Sequence, residues 1–272
     1  MLSSRQDFHF LFKIICMSKI IFITGATSGF GEAAARKFAA EGYNCIINGR
    51  RADRLQQLAD ELTNTHQAEI LPLVFDVQDE QAVNKAIDSL PEKWKAIDVL
   101  FNNAGLALGR DYFDEADMGD WTRMIDTNVK GVLYVGQAVS KLMAKRGKGH
   151  IINMGSIAGQ EVYEKGNVYC ASKFAVDAIS KGMRIDLLRH GIKVTCINPG
   201  AAETEFSLVR FKGDAGTAAS IYNGIKPLSG ADVADVVFYC SSLPDHVCIN
   251  DLSITCLRQA NTVYFNREPA KP

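Results

Sequence analysis

The stretch KIIFITGATSGFGEAAARKFAAEG, residues 19–42, decides the fold. It opens on a short apolar run rich in β-branched residues, passes through three glycines, and ends in a pattern of helical period. Gly25, Gly29 and Gly31 are spaced G-x-x-x-G-x-G, so strand, turn and helix follow without a spare residue. Glycines there let the chain turn tightly and bring backbone amides and the positive end of a helix against a diphosphate. The spacing differs from G-x-G-x-x-G, and no Lys-Ser or Lys-Thr pair follows, which removes the P-loop. In the helix, Ala33, Ala34, Phe38 and Ala39 make an apolar face, and Gly42 is placed to stop it.

The same alternation continues outward. The runs KIIFIT (19–24), YNCIING (43–49), EILPLVF (69–75), AIDVLFN (96–102), GHIINMG (149–155) and IKVTCIN (192–198) are apolar nearly throughout. That character fits strands covered on both faces by helices. ADRLQQLADEL and EQAVNKAIDSL place Leu55, Leu58 and Leu62, then Val83, Ile87 and Leu90, at helical spacing. Alternating strands and helices predict an α/β fold of the doubly wound Rossmann type, with ligands beyond the carboxyl ends of the strands.

Composition narrows the functions. The 272 residues are 47% hydrophobic and 22% charged, with a formal charge of -1, which gives no electrostatic case for nucleic acid or acidic lipid. A small-molecule partner is expected. No run of about twenty apolar residues points to a membrane span. The seven cysteines include no Cys-x-x-Cys pair, so no metal site is expected, and they read as small buried hydrophobes of a reducing compartment, the cytoplasm. No linker or repeat divides the chain, and one domain is expected over 18–258, followed by a tail at 259–272. Residues 1–17 contain FHFLFKII, broken by His9 and Lys13 with no cleavage site after it, and read as an upstream extension rather than a signal peptide.

Four further features carry chemistry. After the second strand comes Arg50-Arg51, where a site for an unphosphorylated adenosine ribose would place an acid. Two arginines suit a 2′-phosphate instead, with Ser28 adding a hydroxyl; the alternative is a solvated pair opening a helix. NNAG stands at Asn102 to Gly105. Ser156 follows the fifth strand, without the G-x-S-x-G elbow of a nucleophile. Tyr169 and Lys173, four apart, share one helix face. An ammonium one turn from a phenol, joined by the positive charge of an oxidised nicotinamide, is expected to lower its pKa by roughly one to three units, making Tyr169 a usable acid and base. Ser156 can then steady the substrate oxygen.

Together these motifs, in this order, resemble the short-chain dehydrogenase/reductase family, from Lys19 to about Thr255. The resemblance implies a mostly seven-stranded parallel sheet with helices on both faces, an NADP cofactor, and a homotetramer joined through long helices at about 118–145 and 168–190. It implies that Gly25, Thr27, Ser28, Gly29, Phe30 and Gly31 border the cofactor with Arg50 and Arg51. Asp76 and Val77 match the adenine site, and Asn103, Ala104 and Gly105 the sheet-side wall. Lys173 would hold the nicotinamide ribose beside Tyr169, while Pro199, Gly200 and Thr204 would hold the nicotinamide. Asn128 matches an asparagine that supports a water relay to the lysine, and the other reading is a helix kink bound to backbone.

The stretches GFGE, GRR, NNAGLALG and TEFSLVRFKGD resemble the subgroup of NADP-dependent 3-hydroxy acid dehydrogenases, which act on serine and allo-threonine. A short acid needs a cation: Arg210 is the candidate and Lys212 the reserve, with Tyr163 in the pocket wall. Glu161 and Glu164, if they face the pocket, would oppose an acid. A 3-oxoacyl thioester or general carbonyl reductase would share every catalytic residue, an epimerase would need a larger C-terminal region, and a non-catalytic NADP sensor would have no use for Ser156, Tyr169 and Lys173 together.

Overall fold

Seven strands lie parallel in a single sheet: β1 (Ile20–Ile23), β2 (Asn44–Gly49), β3 (Ile70–Val74), β4 (Ile97–Asn102), β5 (Gly149–Met154), β6 (Ile192–Pro199) and β7 (Asp251–Ile254), in the order β3-β2-β1-β4-β5-β6-β7. They belong to a computed structural model that describes residues 18–268, so the first 17 residues lie outside the described part. Six strands fall on the apolar runs of the sequence. The seventh, DLSI, alternates exposed and half-buried positions because it pairs only with β6 at the edge of the sheet. β3, the other edge, is only partly covered, with Val74 exposed, and it accommodates Pro72 because an edge strand can spare an N–H.

The strand period of two sorts β1 between two cores. Ile21 and Ile23 pack with Phe38 of α1 (Gly29–Ala40), Leu55 and Leu58 of α2 (Ala52–His66), and Val233 and Val237 of α9 (Gly230–Ser242). Ile20 and Phe22 face the opposite side, with Val83 and Ile87 of α3 (Glu80–Asp88) and Val135 and Val139 of α5 (Gly131–Arg146). Each such side chain, fully buried, contributes about 1.5–3 kcal/mol, so the two-sided cover is what fixes the register.

The helix expected over 118–145 is three pieces: α4 (Met118–Ile125), a π-helical turn at Asp126–Lys130, and α5. Such single turns widen a helix locally and recur at functional sites. α6 (Asn167–Leu187) continues as a 3-10 turn to His190, close to its expected limits. α7 (Glu205–Arg210) and α8 (Ala215–Ser220) follow β6. Beyond β7 the segment read as a tail turns back on itself: the Ala260 amide donates to the Tyr264 carbonyl at 3.1 Å, that of Asn266 to Arg258 at 2.9 Å, and that of Glu268 to Gly224 at 2.8 Å. Residues 259–268 are thus a small hairpin tied to the loop after α8. Among the described residues, no helix is long and apolar enough to cross a membrane.

Candidate active site

The sheet order leaves a crevice where the chain, having added β2 and β3 on one side of β1, returns to place β4 on the other. Beyond the carboxyl ends of these strands lies a cavity of about 780 Å³. From the glycine loop it is lined by Gly25, Thr27, Ser28, Gly29 and Phe30, and from the ends of β2 and β3 by Arg50, Arg51, Asp76 and Val77. β4 supplies Asn103, Ala104 and Gly105; β5 and α6 supply Ser156, Tyr163, Tyr169 and Lys173; the β6 loop and α7 supply Pro199, Gly200, Thr204 and Arg210. Residues as far apart in the chain as Gly25 and Arg210 thus share one surface.

Two expected site residues stand behind that wall. Gly31 begins the packing of α1 on β1: a Cβ there would overlap the carbonyl oxygen of Gly25 and lie 2.7 Å from Nδ2 of Asn103. Gly25 itself has φ +68, a left-handed turn that only glycine takes without cost. Asn128, 1% exposed, lies in the π turn with its side chain fully engaged. Its Oδ1 accepts from the Leu106 amide at 2.8 Å, and its Nδ2 donates to the Leu106 carbonyl at 2.8 Å and to Ser172 Oγ at 3.0 Å. Asn128 therefore holds the loop after β4 against α6. Asn102 is structural in the same way, donating from a buried position to the Val132 carbonyl at 2.9 Å.

The end of β2 is a charge cluster. Arg51 donates from Nε to Thr27 Oγ1 at 3.1 Å and from Nη2 to the Thr27 carbonyl at 3.1 Å, and its Nη1 meets Glu205 at 3.0 Å. Arg54 meets the same carboxylate at 2.7 Å. Arg50 is more open and pairs with Asp76 at 3.3 Å. Ser28 stands at the N-cap of α1 yet makes no capping bond, and among the described residues its hydroxyl has no partner and can meet a ligand.

At the other end, Lys173 is 5% exposed and donates to the Met154 carbonyl at 2.9 Å. Burial depresses its pKa to about 8. Here the structure corrects the share of the Tyr169 lowering given to Lys173. Lys173 Nζ is 5.9 Å from the Tyr169 ring centre and is not among the groups that pull its phenol down. Burial instead raises the Tyr169 pKa well above the ordinary value of a tyrosine, with Tyr163 adding to the rise, while Ser156 and Arg210 pull it back. Burial thus favours the protonated phenol of Tyr169, the form that can donate. The Ser156 hydroxyl accepts from the Ala158 amide at 3.1 Å and faces the Pro199 carbonyl at 3.4 Å.

Arg210 has its guanidinium carbon 5.4 Å from the Tyr169 ring centre and 5.5 Å from that of Tyr163, and its Nε is buried without a partner. Lys212, the reserve cation, is paired with Asp120 at 2.8 Å away from the cavity. Of the two glutamates that opposed an acid, Glu161 is turned to Thr262, and Glu164, which does line the cavity, meets the Tyr112 hydroxyl at 3.2 Å. Sequence reading missed Phe206, whose ring lies 5.7 Å from that of Tyr169, and the hairpin residues Gln259, Thr262, Val263 and Phe265, which also line the cavity. Gln259 Oε1 accepts from the Ala201 amide at 2.7 Å, fastening the hairpin to the β6 loop. No periodicity marks that segment, so no local signal announced it. Away from the cavity, Asp177, Cys196 and Asp251 approach within 4.8 Å of one another, with Lys181 on Asp177 and Arg184 on Asp251 meeting the carboxylate charge.

A close-approach glycine loop opening a helix, arginines in place of an acid after β2 and a free Ser28 hydroxyl fit a nicotinamide dinucleotide with a 2′-phosphate. The phenol of Tyr169, the ammonium of Lys173 and the hydroxyl of Ser156 share the cavity with that glycine loop, an arrangement suited to the hydride and proton transfer of nicotinamide-dependent oxidoreductases. The chain belongs to the short chain dehydrogenase family, whose sequence model matches residues 19–213. It is 46% identical over 245 residues to sulfoacetaldehyde reductase 2 of Chromohalobacter salexigens, covering 90% of this chain and 96% of that one. It is 45% identical over 243 residues to the NADP-dependent 3-hydroxy acid dehydrogenase of Escherichia coli K12, covering 89% and 96%. The closed form of a serine dehydrogenase complexed with NADP+ superposes with a TM-score of 0.85 at 44% identity, covering 92% of this chain and 99% of that one. The protein is an NADP-dependent oxidoreductase acting on CH–OH groups.

Proposed function

We propose that the protein interconverts a short 3-hydroxy acid and its 3-oxo form, with Tyr169 as the acid and base. The bound cofactor supplies or accepts the hydride. The observation that carries this reading is Arg210 stacked over Tyr169 and Tyr163 with a buried, unpartnered Nε. A guanidinium beside the proton donor holds a carboxylate close to the reacting carbon, where charge-assisted bonds are strong. Relatives named for 3-hydroxy acids and for sulfoacetaldehyde support it, since both substrate types carry an acid group one carbon removed from the reacting carbon.

In reduction, the Tyr169 hydroxyl protonates the forming alkoxide while the Ser156 hydroxyl steadies the same oxygen. Arg210 and Ser156, which pull the phenol's pKa down, stabilise the phenolate left behind. Lys173, fixed by Met154, would hold the cofactor ribose, and Asn128 keeps the loop bearing Gly105 against Lys173. Pro199, Gly200 and Thr204 would hold the nicotinamide, and Asp76 and Val77 the adenine. Tyr163 supports Arg210 from the far side.

The assembly read from the resemblance, a homotetramer, is supported by exposed apolar side chains on the two long helices, Leu133 on α5 and Phe174 and Ile185 on α6. Mass in solution tests it. All six described cysteines are free, which suits the reducing cytoplasm.

NADP-linked oxidation of serine, allo-threonine, 3-hydroxypropionate, 3-hydroxyisobutyrate and 2-hydroxyethanesulfonate, beside reduction of a 3-oxoacyl thioester, tests the substrate class. Turnover of the hydroxy acids is expected. Turnover confined to the thioester would remove the reading, and preference for the sulfonate would move it to the chemistry of the first relative.

A further inference from the structure

Glu205 is placed between the two halves of the cavity. It opens α7, a six-residue helix whose last residue is Arg210 against Tyr169. Its own carboxylate reaches the opposite end, bridging Arg51 at 3.0 Å and Arg54 at 2.7 Å. Partial burial alone would raise its pKa, yet Arg54 and Arg51 hold the carboxyl below the usual range, so it is an anion at neutral pH.

The donors of Arg51 are divided. Nε and Nη2 are committed to Thr27, and the remaining Nη1 faces Glu205. A phosphate at Arg51 therefore meets the edge of the guanidinium that Glu205 already uses. The three side chains are 40–46% exposed, so water screens their ion pairs and an arriving dianion exchanges for them easily.

We infer that Glu205 competes with the adenosine 2′-phosphate for Arg51 and Arg54. It is then a specificity-determining residue that moderates the preference for the phosphorylated cofactor, and Arg54 is a further cation of the phosphate subsite. The inference rests on Arg51 as a ligand of the 2′-phosphate. A phosphomonoester carries about two negative charges and Glu205 one, and their repulsion across a few ångströms of partly screened space is worth about a threefold to tenfold change in affinity.

The test is calorimetric titration of the full-length protein with adenosine 2′,5′-bisphosphate and with adenosine 5′-monophosphate, which differ only in the 2′-phosphate. Glu205→Gln, which keeps the shape and removes the charge, is expected to bind the bisphosphate about threefold to tenfold more tightly and the monophosphate within twofold of the parent. Glu203→Gln, in the same loop with no arginine partner, is expected to change neither. Unchanged or weaker bisphosphate binding in Glu205→Gln, or an equal gain for both nucleotides, overturns the competition. Arg51→Ala separates the premise: if the bisphosphate keeps its full advantage over the monophosphate without Arg51, the arginine reading itself falls. No substrate enters the titration, so its outcome is independent of the 3-hydroxy acid assignment.

Discussion

The guanidinium of Arg210 stands 5.4 Å from the ring centre of Tyr169, close enough for the same group to hold an anionic substrate and to stabilise a phenolate beside it. A charge-assisted hydrogen bond of about 1.5–3 kcal/mol lost to truncation is about a tenfold to hundredfold loss in kcat/KM. Arg210→Ala is therefore expected to lose that much on 3-hydroxy acids and much less on neutral alcohols, measured in one NADP-linked assay. Equal losses on both would leave Arg210 only its part in stabilising the Tyr169 phenolate and remove the carboxylate clamp.

Tyr169→Phe removes the proton and little volume. A general acid contributes about 10²–10⁴-fold, so kcat is expected to fall by that factor while NADPH titration by fluorescence is unchanged. A variant as active as the parent would return the protein to the non-catalytic sensor.

Lys173 gives the pH dependence its sign. Burial brings its pKa to about 8, so its ammonium is present below that pH and lost above it. Tyr169 has moved the other way and stays protonated across the same range. The kcat/KM for NADPH, which reports the free enzyme, is expected to fall with unit slope above about pH 8. Lys173→Arg, whose side chain does not titrate there, is expected to be flat to pH 10 whatever its absolute rate; a fall at the same pH in that variant would assign the limb to another group.

His150 sets a separate limit on stability. It is 3% exposed in β5 with Nε2 2.7 Å from Thr195 Oγ1, and burial, helped by Lys193, depresses its pKa to about 3. Unfolded, the same imidazole titrates near 6.5. The unfolded chain therefore binds the extra proton between those values, so the stabilisation is whole above pH 6.5 and declines as pH falls toward 3, by up to about 1.4 kcal/mol per pH unit. Urea unfolding of His150→Gln is expected to show a shallower acid loss than the parent, and an identical slope would exclude His150 as the source.

What could be read along the chain is what neighbouring residues decide among themselves. The order strand, glycine loop, helix in 19–42 is local, as are the apolar runs of β1, β2, β4, β5 and β6 and the four-residue spacing of Tyr169 and Lys173, so the doubly wound fold and part of the cavity lining were legible. β7 escaped the apolar pattern because an edge strand is covered only in part. The hairpin at 259–268 has no period of its own; Asn261 turns it locally, and Gly224 and Ala201, far away in sequence, fix where it docks.

Tertiary structure alone decided the electrostatics. Four residues of spacing said that Lys173 and Tyr169 share a helix face; it could not say that the ammonium would sit on the Met154 carbonyl or that the phenol would be pushed up. Arg51 and Glu205 are 154 residues apart, and the sequence offered no reason to join them. Helix and strand follow from short-range backbone and periodicity, which a sequence carries in order. A pKa or an ion pair follows from which groups exclude water from one another, and that is settled only when the sheet brings its strand ends together.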